Sequence, residues 1–317
     1  MALAAKSGLG DPADAELRLP RYFGANAGLK VTAMVAGMPA GADSLNNMAL
    51  LRRGGMKKLF VGTHAPSTLG SFLRAFTFGH VRQLDGDGNR LIGVATHTPI
   101  VTGIDNYALV DIDDTRKKVH GYQMQGSGYV CSAVRGVNAL IGVVSTPEPA
   151  PIIIGSRLRK GSTGSPRGAG KFLGDTLVTV RRLRRQMANS VVLLRADSAV
   201  YCHAVVAAAN RAGAKVSITA RMDPTVKRTI GTIRDDQWTT INCTNAIGYK
   251  ITDIWISSAE VVVSALSSRK KSERIEGRLV ERRTRKKTGK TPEDNRPSST
   301  RTASRVLQRQ GPGHCRR

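Results

Sequence analysis

One short stretch decides how this chain folds: Leu109-Val110-Asp111-Ile112-Asp113-Asp114-Thr115. Apolar residues alternate through it and three carboxylates follow, which predicts a strand with an acidic end. Because strand side chains alternate between faces, Asp111 and Asp113 should point one way and Asp114 the other. Two carboxylates on one face repel each other, and a bound cation relieves that repulsion. By itself the stretch fits either a Mg²⁺ site or an acidic strand end that only begins a turn.

A second stretch favours the metal site: Val191-Val192-Leu193-Leu194-Arg195-Ala196-Asp197-Ser198. Its continuous apolar run is typical of a buried, central strand. Asp197 follows the run, and Ser198 is placed to open the helix that comes next. Acidic residues occupy such positions in many α/β sheets, where the ends of neighbouring strands meet. We therefore predict that the two strands share a metal site at one edge of a sheet.

The charge of the chain indicates what that site acts on. The chain has 317 residues and is 40% hydrophobic, enough for a core in one large domain or two smaller ones. Its 49 Lys and Arg outnumber 23 Asp and Glu, for a net charge of +26. This excess favours polyanions, with nucleic acid ahead of an anionic membrane. Aromatic residues make up only 4%, which argues against a stacking platform for single strands.

The absence of targeting segments and the spacing of the cysteines indicate where the protein works and which sites it lacks. No apolar run approaches the length of a spanning helix, and no signal-peptide pattern is present, so we expect a cytoplasmic, nucleoid-associated protein with no membrane partner. The four cysteines are scattered without paired CxxC spacing, which argues against a zinc site or a disulfide framework.

The sequence before the acidic stretch is helical. Leu29 to Met38 predict one helix with an apolar face, Asp43 or Ser44 could cap a second, and Pro66-Ser67 should open a third. Basic residues lie around these helices and their turns: Arg52, Arg53, Lys57, Lys58 and Arg74. Short helices with basic turns fit a DNA-docking region that contacts phosphates. A helical bundle whose charges only face water is the alternative.

Strands and helices alternate after the acidic stretch. Val137 to Val144 and Pro151 to Ile154 predict strands of an antiparallel meander. Ser165 should cap a helix that has Pro166 at its first position and runs to about Met187. Its basic residues are either a phosphate track or a solvated face: Arg181, Arg182, Arg184 and Arg185.

The last third of the chain changes character. Further helices are predicted at 204–211 and from 224, and strands at 215–219, 238–242, 251–256, 261–266 and 278–282. From Arg283 onward almost no apolar residue occurs, and basic residues are dense, which predicts a disordered, polyanion-seeking tail.

From about Gly24 to about Arg283 the chain resembles bacterial insertion-sequence transposases of the DDE type, whose catalytic core has an RNase H-like fold. The stretches that carry the resemblance are Gly41 to Ser44, Leu50 to Met56, Ala65 to Arg74, Phe76 to Asp85, Val110 to Thr115, Arg195 to Ser198 and Ala220 to Met222. So many stretches in one order are more specific than a single motif.

The resemblance implies an α/β fold with an RNase H-like mixed sheet flanked by helices, a β-rich insertion, and a small helical region in front. The corresponding borders are an irregular N-terminus at 1–24, a helical DNA-binding region at 25–100, the core at 101–235, the insertion at 236–283 and a basic disordered tail at 284–317.

The resemblance also implies the chemistry. In such families the first core strand carries an Asp followed two places later by Thr, here Asp113 and Thr115, and the second Asp follows the fourth strand, here Asp197. These residues would hold divalent metal, Mg²⁺ or Mn²⁺, weakly and with help from Asp111. Intact relatives use two ions for phosphoryl transfer. The implied partner is double-stranded DNA, both element ends and target, with a homodimer as a possible assembly on DNA.

One departure from the family matters. The third carboxylate is expected on a late helix, with a Lys about two turns further on, but the resemblance stops near Arg283 and the remainder looks like an out-of-frame reading of the gene. The nearest acids, Glu260 and Glu281, lie in strand-like sequence. We therefore expect a truncated copy whose strand transfer is absent or very slow. A non-catalytic DNA-binding remnant remains open, as does a basic RNA-associated protein, although paired aspartates without metal would repel RNA.

Overall fold

The computed structural model describes residues 8–60, 62–84, 101–120, 124–129, 134–184, 190–241, 254–265, 275–286 and 306–308. Its first part is helical, and its second part is an α/β sheet. Hydrophobic residues of the two parts form separate clusters, with two small clusters in the helical part and one large cluster around the sheet.

The helical part consists of short helices. They are α1 (Asp11–Glu16), α2 (Arg21–Gly24), α3 (Ala27–Gly37), a 3-10 helix (Asn46–Arg52), α4 (Met56–Leu59) and α5 (Pro66–Arg74). Pro66 opens α5 as predicted, because its fixed φ and missing N–H suit the first helical position. The second predicted helix is the 3-10 helix, but its N-cap is Leu45 without a side-chain cap, so the predicted capping by Asp43 or Ser44 is wrong. Ser44 Oγ makes only a long contact, accepting from the Asn47 backbone N–H at 3.4 Å.

The buried face of α3 matches the predicted one only in part, since Val31 and Met34 pack against the two small clusters as predicted. Leu29 and Met38 are 43% and 68% exposed, whereas Ala33 and Ala36 are buried. Small residues form the buried face because neighbouring helices approach closely: a Cβ added at Gly28 would lie 2.5 Å from the Gly10 carbonyl oxygen. This orientation also buries the charged residue Lys30.

The sheet part contains ten described strands and three described α-helices, besides two short 3-10 helices. The strands are β1 (Tyr107–Lys118), β2 (Gly128–Tyr129), β3 (Arg135–Ser145), β4 (Ile152–Arg159), β5 (Val191–Ala196), β6 (Lys215–Thr219), β7 (Thr239–Ile241), β8 (Ile254–Ala265), β9 (Ile275–Lys286) and β10 (Val306–Gln308). The helices are α6 (Ala169–Leu183), α7 (His203–Arg211) and α8 (Pro224–Gly231).

The strands form one mixed sheet in the order β2-β3-β1-β5-β6-β10-β9-β8-β7, with β4 paired to β3 beside β2. Strand β1 is antiparallel to β3 and parallel to β5, and β5 is parallel to β6. The antiparallel meander β1-β3-β4 followed by two parallel strands is the RNase H-like mixed sheet that was predicted.

The strands predicted as an insertion continue this sheet. Strands β7, β8 and β9 pair antiparallel with each other, and β10 joins β9 to β6. Thus residues 306–308 of the expected disordered tail form a strand, because Val306 and Leu307 supply a short apolar segment within the basic sequence. The domain borders themselves remain a prediction.

One face of the sheet packs against helices. Ala108, Val110 and Ile112 of β1 are buried in the same cluster as apolar residues of α6 and α7. Helix α6 lies close to β3 and β4 because glycines there leave room: a Cβ at Gly142 would lie 3.1 Å from Thr176. The alternating burial of β1 and β3 follows from this one-sided packing.

Several predicted boundaries are wrong: the strands predicted at 251–256 and 261–266 are one strand, β8, and the strand predicted at 278–282 extends over the whole of β9. Two further differences concern the elements around the acidic stretch. Strand β1 does not end at its carboxylates but runs on to Lys118, because pairing with β3 continues after pairing with β5 stops. Helix α6 begins at Ala169 rather than after Ser165 and ends at Leu183, since the Ser165 hydroxyl donates to Asp114 instead of capping the helix. In the part of the chain described, no helix is both long and apolar enough to cross a membrane.

Candidate active site

The register between β1 and β5 brings the two predicted aspartates together. Ile112 of β1 is the partner of Ala196 of β5, the last pair of this parallel ladder. The next residue in each strand is acidic, Asp113 and Asp197. Beyond this point β5 gives way to a turn, whereas β1 continues beside β3, where Asp113 pairs with Ile141. The site therefore lies in the notch where β5 leaves β1.

Asp113 is an exposed carboxylate with few partners. Its Oδ1 accepts a hydrogen bond from the Asp114 backbone N–H at 2.7 Å. Partial burial raises the pKa of Asp113, that backbone hydrogen bond lowers it, and the charges of Asp197, Asp114 and Asp111 raise it further, so the pKa lies above its usual value. Asp197 comes first among the three charges that raise this pKa, in keeping with its position next to the last pair of the β1–β5 ladder.

Asp197 is held by the turn that follows β5. Its Oδ1 accepts a hydrogen bond from the Ala199 backbone N–H at 2.9 Å and thereby caps the 3-10 helix Ser198–Val200. Arg221, which follows β6 in the chain, holds the same turn by donating to the carbonyl oxygens of Ser198 at 2.9 Å and Ala199 at 3.1 Å. Sequence reasoning did not identify Arg221 as a positioning residue, because the contact spans more than twenty positions.

Asp111 shares a face with Asp113 but is engaged elsewhere. Both of its carboxylate oxygens accept hydrogen bonds from Arg195, at 2.6 Å from Nε and 3.0 Å from Nη2. The carboxylate raises the pKa of Arg195, so this guanidinium stays charged. The predicted assistance of Asp111 to a metal therefore competes with a two-point ion pair across β1 and β5.

Asp114 lies on the opposite face and is nearly buried, with 10% of its side chain exposed. Its Oδ2 accepts hydrogen bonds from Asn138 Nδ2 at 2.8 Å and Ser165 Oγ at 2.9 Å. The Arg159 guanidinium lies 3.7 Å from the same oxygen and donates its Nε hydrogen to Asn138 Oδ1. Burial lowers the pKa of Arg159, and Asp114 opposes that shift. Strand alternation placed Asp114 on this face, but its partners come from β3, β4 and the loop before α6.

The donor set at the notch fits a hard divalent cation. Among the described residues no hydrogen bond reaches Oδ2 of Asp113 or Oδ2 of Asp197, so each keeps one carboxylate oxygen for a ligand. Carboxylate oxygens are the donors preferred by Mg²⁺ and Mn²⁺. However, no group of three or more His, Cys, Asp or Glu able to hold a metal occurs in the described ranges. Glu260 and Glu281 lie on β8 and β9, and Glu260 pairs with Arg278 at 2.9 Å.

The predicted DNA-contacting residues fall into two groups. In the helical part Arg52, Arg53, Lys58 and Arg74 are exposed, and Arg74 donates to Ser71 Oγ at 3.4 Å. On α6, Arg181 and Arg182 are exposed in the last turn.

The remaining predicted contacts differ. Arg184 follows the end of α6 and donates to the Asp105 carbonyl oxygen at 3.5 Å, and burial lowers its pKa. It is therefore turned partly toward the protein. The side chain of Lys57 and the whole of Arg185 lie outside the described residues.

Comparisons with known proteins give limited likeness. No protein-family model matches the sequence, and no curated protein matches it. Two solved structures are similar in part. The crystal structure of a pre-cleavage Mos1 transpososome is 11% identical, over 59% of this chain and 58% of that chain, with a TM-score of 0.21. A Mos1 transposase paired-end complex with left transposon end is 12% identical, over 59% of this chain and 57% of that chain, with a TM-score of 0.21. The chain thus spans less than two thirds of the length of either.

Proposed function

We propose that this chain is a copy of a bacterial DDE-type insertion-sequence transposase in which DNA cleavage and strand transfer are absent or very slow. The observation that carries the proposal is the meeting of Asp113 and Asp197 at the end of the β1–β5 ladder. The family resemblance assigns catalytic roles to these same two residues. In the family that the sequence resembles, the corresponding aspartates lie on an RNase H-like sheet.

The residues of the notch have separate tasks in this proposal. Asp113 and Asp197 would hold Mg²⁺ or Mn²⁺, which supplies charge neutralisation and activation of the attacking oxygen in phosphoryl transfer. Arg221 fixes the turn that carries Asp197, through two backbone carbonyl oxygens. Asp114 and its partners fix β1 from the buried face, so that Asp113 keeps its direction.

The expected inactivity follows from the ligand count. Two carboxylates leave a pair of ions short of ligands and poorly positioned, and the described residues contain no group of three or more side chains able to hold a metal. Asp111 is the nearest candidate on that face, but Arg195 holds both of its oxygens. Double-stranded DNA remains the expected partner, through exposed Arg and Lys of the helical part and of α6.

The proposal is tested by incubating the chain with end-labelled element DNA and Mg²⁺ or Mn²⁺. We expect no cleavage, or only very slow cleavage, on a sequencing gel, together with weak Mn²⁺ binding by electron paramagnetic resonance. Efficient cleavage of the element DNA by the unmodified chain would refute the predicted inactivity. Absence of Mn²⁺ binding, or binding that is unchanged in Asp113→Asn, would refute the metal site.

A second function, a DNA-binding remnant without any metal site, is favoured by the Asp111–Arg195 pair, which removes a carboxylate from the notch. Asp113→Ala separates the two functions, because a pure binder should lose nothing in either DNA affinity or Mn²⁺ affinity. Comparing affinities for element ends, random duplex and RNA at one stated salt concentration tests the RNA-associated alternative. Preference for RNA would favour that alternative.

The expected frameshift near Arg283 has its own inexpensive test. The nucleotide sequence after the codon for Arg283 can be read in the other two frames. We expect one of them to encode a helix with a Glu and, about two turns later, a Lys. Finding no such helix in either frame would remove the frameshift explanation.

A further inference from the structure

A cavity of about 240 Å³ lies between α2, α3 and α5 in the helical part, far in sequence from the notch. Lys30 of α3 and Ser67, Thr68 and Ser71 of α5 line it, with aromatic rings beside them. Among the residues that the structure describes, no carboxylate lines the cavity. Its walls therefore present hydrogen-bond donors and one positive charge without a compensating negative charge.

Lys30 is the charged residue of this cavity, and only 6% of it is exposed. Its Nζ donates to the Phe23 carbonyl oxygen at 2.8 Å and lies 5.3 Å from the centre of the Phe72 ring. Within the described residues no carboxylate pairs with it. A lysine ammonium has three N–H donors, so one carbonyl leaves two of them available. A buried ammonium with no counter-charge is costly, and an anion in the cavity would offset that cost.

The N-terminus of α5 supplies further donors to the same cavity. Ala65 precedes the helix and makes no side-chain cap, and Pro66 has no N–H to offer. The first backbone hydrogen bond of the helix joins Leu69 N–H to Ala65 O, so the N–H groups of Ser67 and Thr68 have no acceptor within the helix. Ser67 and Thr68 are exposed residues, and both line the cavity. Free N–H groups and the helix dipole together favour an anion here.

We propose that this cavity binds one phosphate group of a DNA backbone, between the Lys30 ammonium and the first turn of α5. Lysine, backbone N–H groups and hydroxyls are the groups with which proteins contact DNA phosphates. The surrounding part of the chain is basic, with nine Lys and Arg against four Asp and Glu over residues 8–84. The choice of duplex DNA as the source of the phosphate rests on the proposed function, whereas the anion site rests on the cavity alone.

Three variants of the full chain test the proposal. Lys30→Met removes the charge and keeps an aliphatic chain of similar length. Ser67→Asp adds a carboxylate where the phosphate would lie, and because an acidic residue suits the first helical turn, it should not lower the melting temperature. Arg18→Met is the matched control, since Arg18 is an exposed residue of the same region that does not line the cavity.

The first measurement is the melting temperature with and without inorganic phosphate, at equal ionic strength maintained with chloride. We expect phosphate to raise the melting temperature of the wild type and of Arg18→Met, and to leave Lys30→Met and Ser67→Asp unaffected. Equal phosphate responses in all four proteins would overturn the anion site. Because this measurement contains no DNA, it tests the cavity even if the transposase proposal fails.

The second measurement is duplex affinity as a function of salt. Loss of one phosphate contact should lower the slope of log K against log salt by about 0.9 and weaken binding about 5- to 10-fold near 0.1 M salt. We expect this change in Lys30→Met and Ser67→Asp, whatever the duplex sequence, and a smaller change in Arg18→Met. If phosphate protects the wild type but the slopes of all variants match, the cavity takes a free phosphate instead, and the DNA assignment is overturned.

Discussion

Asp113 and Asp114 are neighbours in the chain and have opposite surroundings. Asp114 faces the helices, where Asn138, Ser165 and Arg159 surround its carboxylate. Asp113 faces away from them, with one backbone N–H as its hydrogen-bond partner and another carboxylate nearby. A pleated strand that turns successive side chains to opposite faces is enough to produce this difference.

Asp114 therefore has a structural role, whereas Asp113 keeps a carboxylate oxygen available for a ligand. A buried carboxylate needs polar partners, and Oδ2 of Asp114 has Asn138, Ser165 and Arg159 around it. Asp113 carries a raised pKa because repulsion from other carboxylates adds to burial, a pattern that a bound cation would reverse.

The largest effect should come from Asp114→Ala. This change leaves the buried Arg159 without its carboxylate and Asn138 and Ser165 without an acceptor, so the free energy of unfolding should fall by about 3–5 kcal/mol. Asp113→Ala should change it by less than about 1 kcal/mol, because that side chain is exposed. Urea titrations of both variants measure the difference. Similar losses in both would contradict the separation of the two roles.

Stabilisation by metal should depend on the exposed face. At a Mn²⁺ concentration about 100 times the dissociation constant, wild-type unfolding should cost about 2.7 kcal/mol more than without metal. Asp113→Asn and Asp197→Asn should each lose most of this gain, whereas Asp236→Asn, an exposed aspartate paired with Arg234, should retain it. Thermal or urea unfolding with and without Mn²⁺ provides the test. If Mn²⁺ stabilises both Asp113→Asn and Asp197→Asn as much as the wild type, the metal binds at another site.

Removing Arg195 should release Asp111 for the notch. We expect Arg195→Ala to raise Mn²⁺ affinity about 3- to 10-fold, a change of about 1 kcal/mol. Because this ion pair is largely exposed, the free energy of unfolding should fall by no more than about 1 kcal/mol. Arg234→Ala, which breaks a comparable two-point pair with Asp236, is the control and should leave Mn²⁺ affinity unchanged. Unaltered affinity in Arg195→Ala would mean that Asp111 does not reach the ion.

The smallest effect concerns stability without metal. The folded-state pKa of Asp113 is raised, so its ionised form costs folding free energy at neutral pH, and the cost disappears as the pH falls through that pKa. Asp113→Asn should therefore stabilise the metal-free chain by a few tenths of a kcal/mol at neutral pH, after screening by solvent, and not at about pH 3. Urea titrations at the two pH values measure this gain. A destabilised variant at neutral pH would show that the carboxylate is favourably paired.

Much of the sheet was predictable from periodicity. The alternation in Leu109 to Asp114 correctly predicted which aspartates share a face, and the apolar run before Asp197 correctly predicted a strand between two others in the sheet. Strand β6 and the start of α5 also match their predicted positions, because each coincides with a clear apolar or Pro signal. The fold class was predicted correctly for the same reason.

Other features were not predictable from local sequence. The buried face of α3 was predicted only in part: Val31 and Met34 pack against the cores as predicted. Leu29 and Met38 are exposed instead, because close packing beside Gly28 buries the small residues Ala33 and Ala36. Ser165 was predicted as a helix cap and is instead a donor to Asp114, a contact between residues 51 positions apart. Hydrogen bonds across such distances are decided when strands and loops pack, so they leave no periodic signal.

The sequence alone determined that Asp113 and Asp197 follow apolar strand segments and that Asp114 faces away from Asp113, because side-chain direction in a strand depends only on position. Tertiary contacts were needed to bring Asp113 next to Asp197 and to pair both oxygens of Asp111 with Arg195. They also bury Lys30 beside the start of α5. These are consequences of which strand pairs with which and how closely helices pack, and both are settled by contacts between residues far apart in the chain.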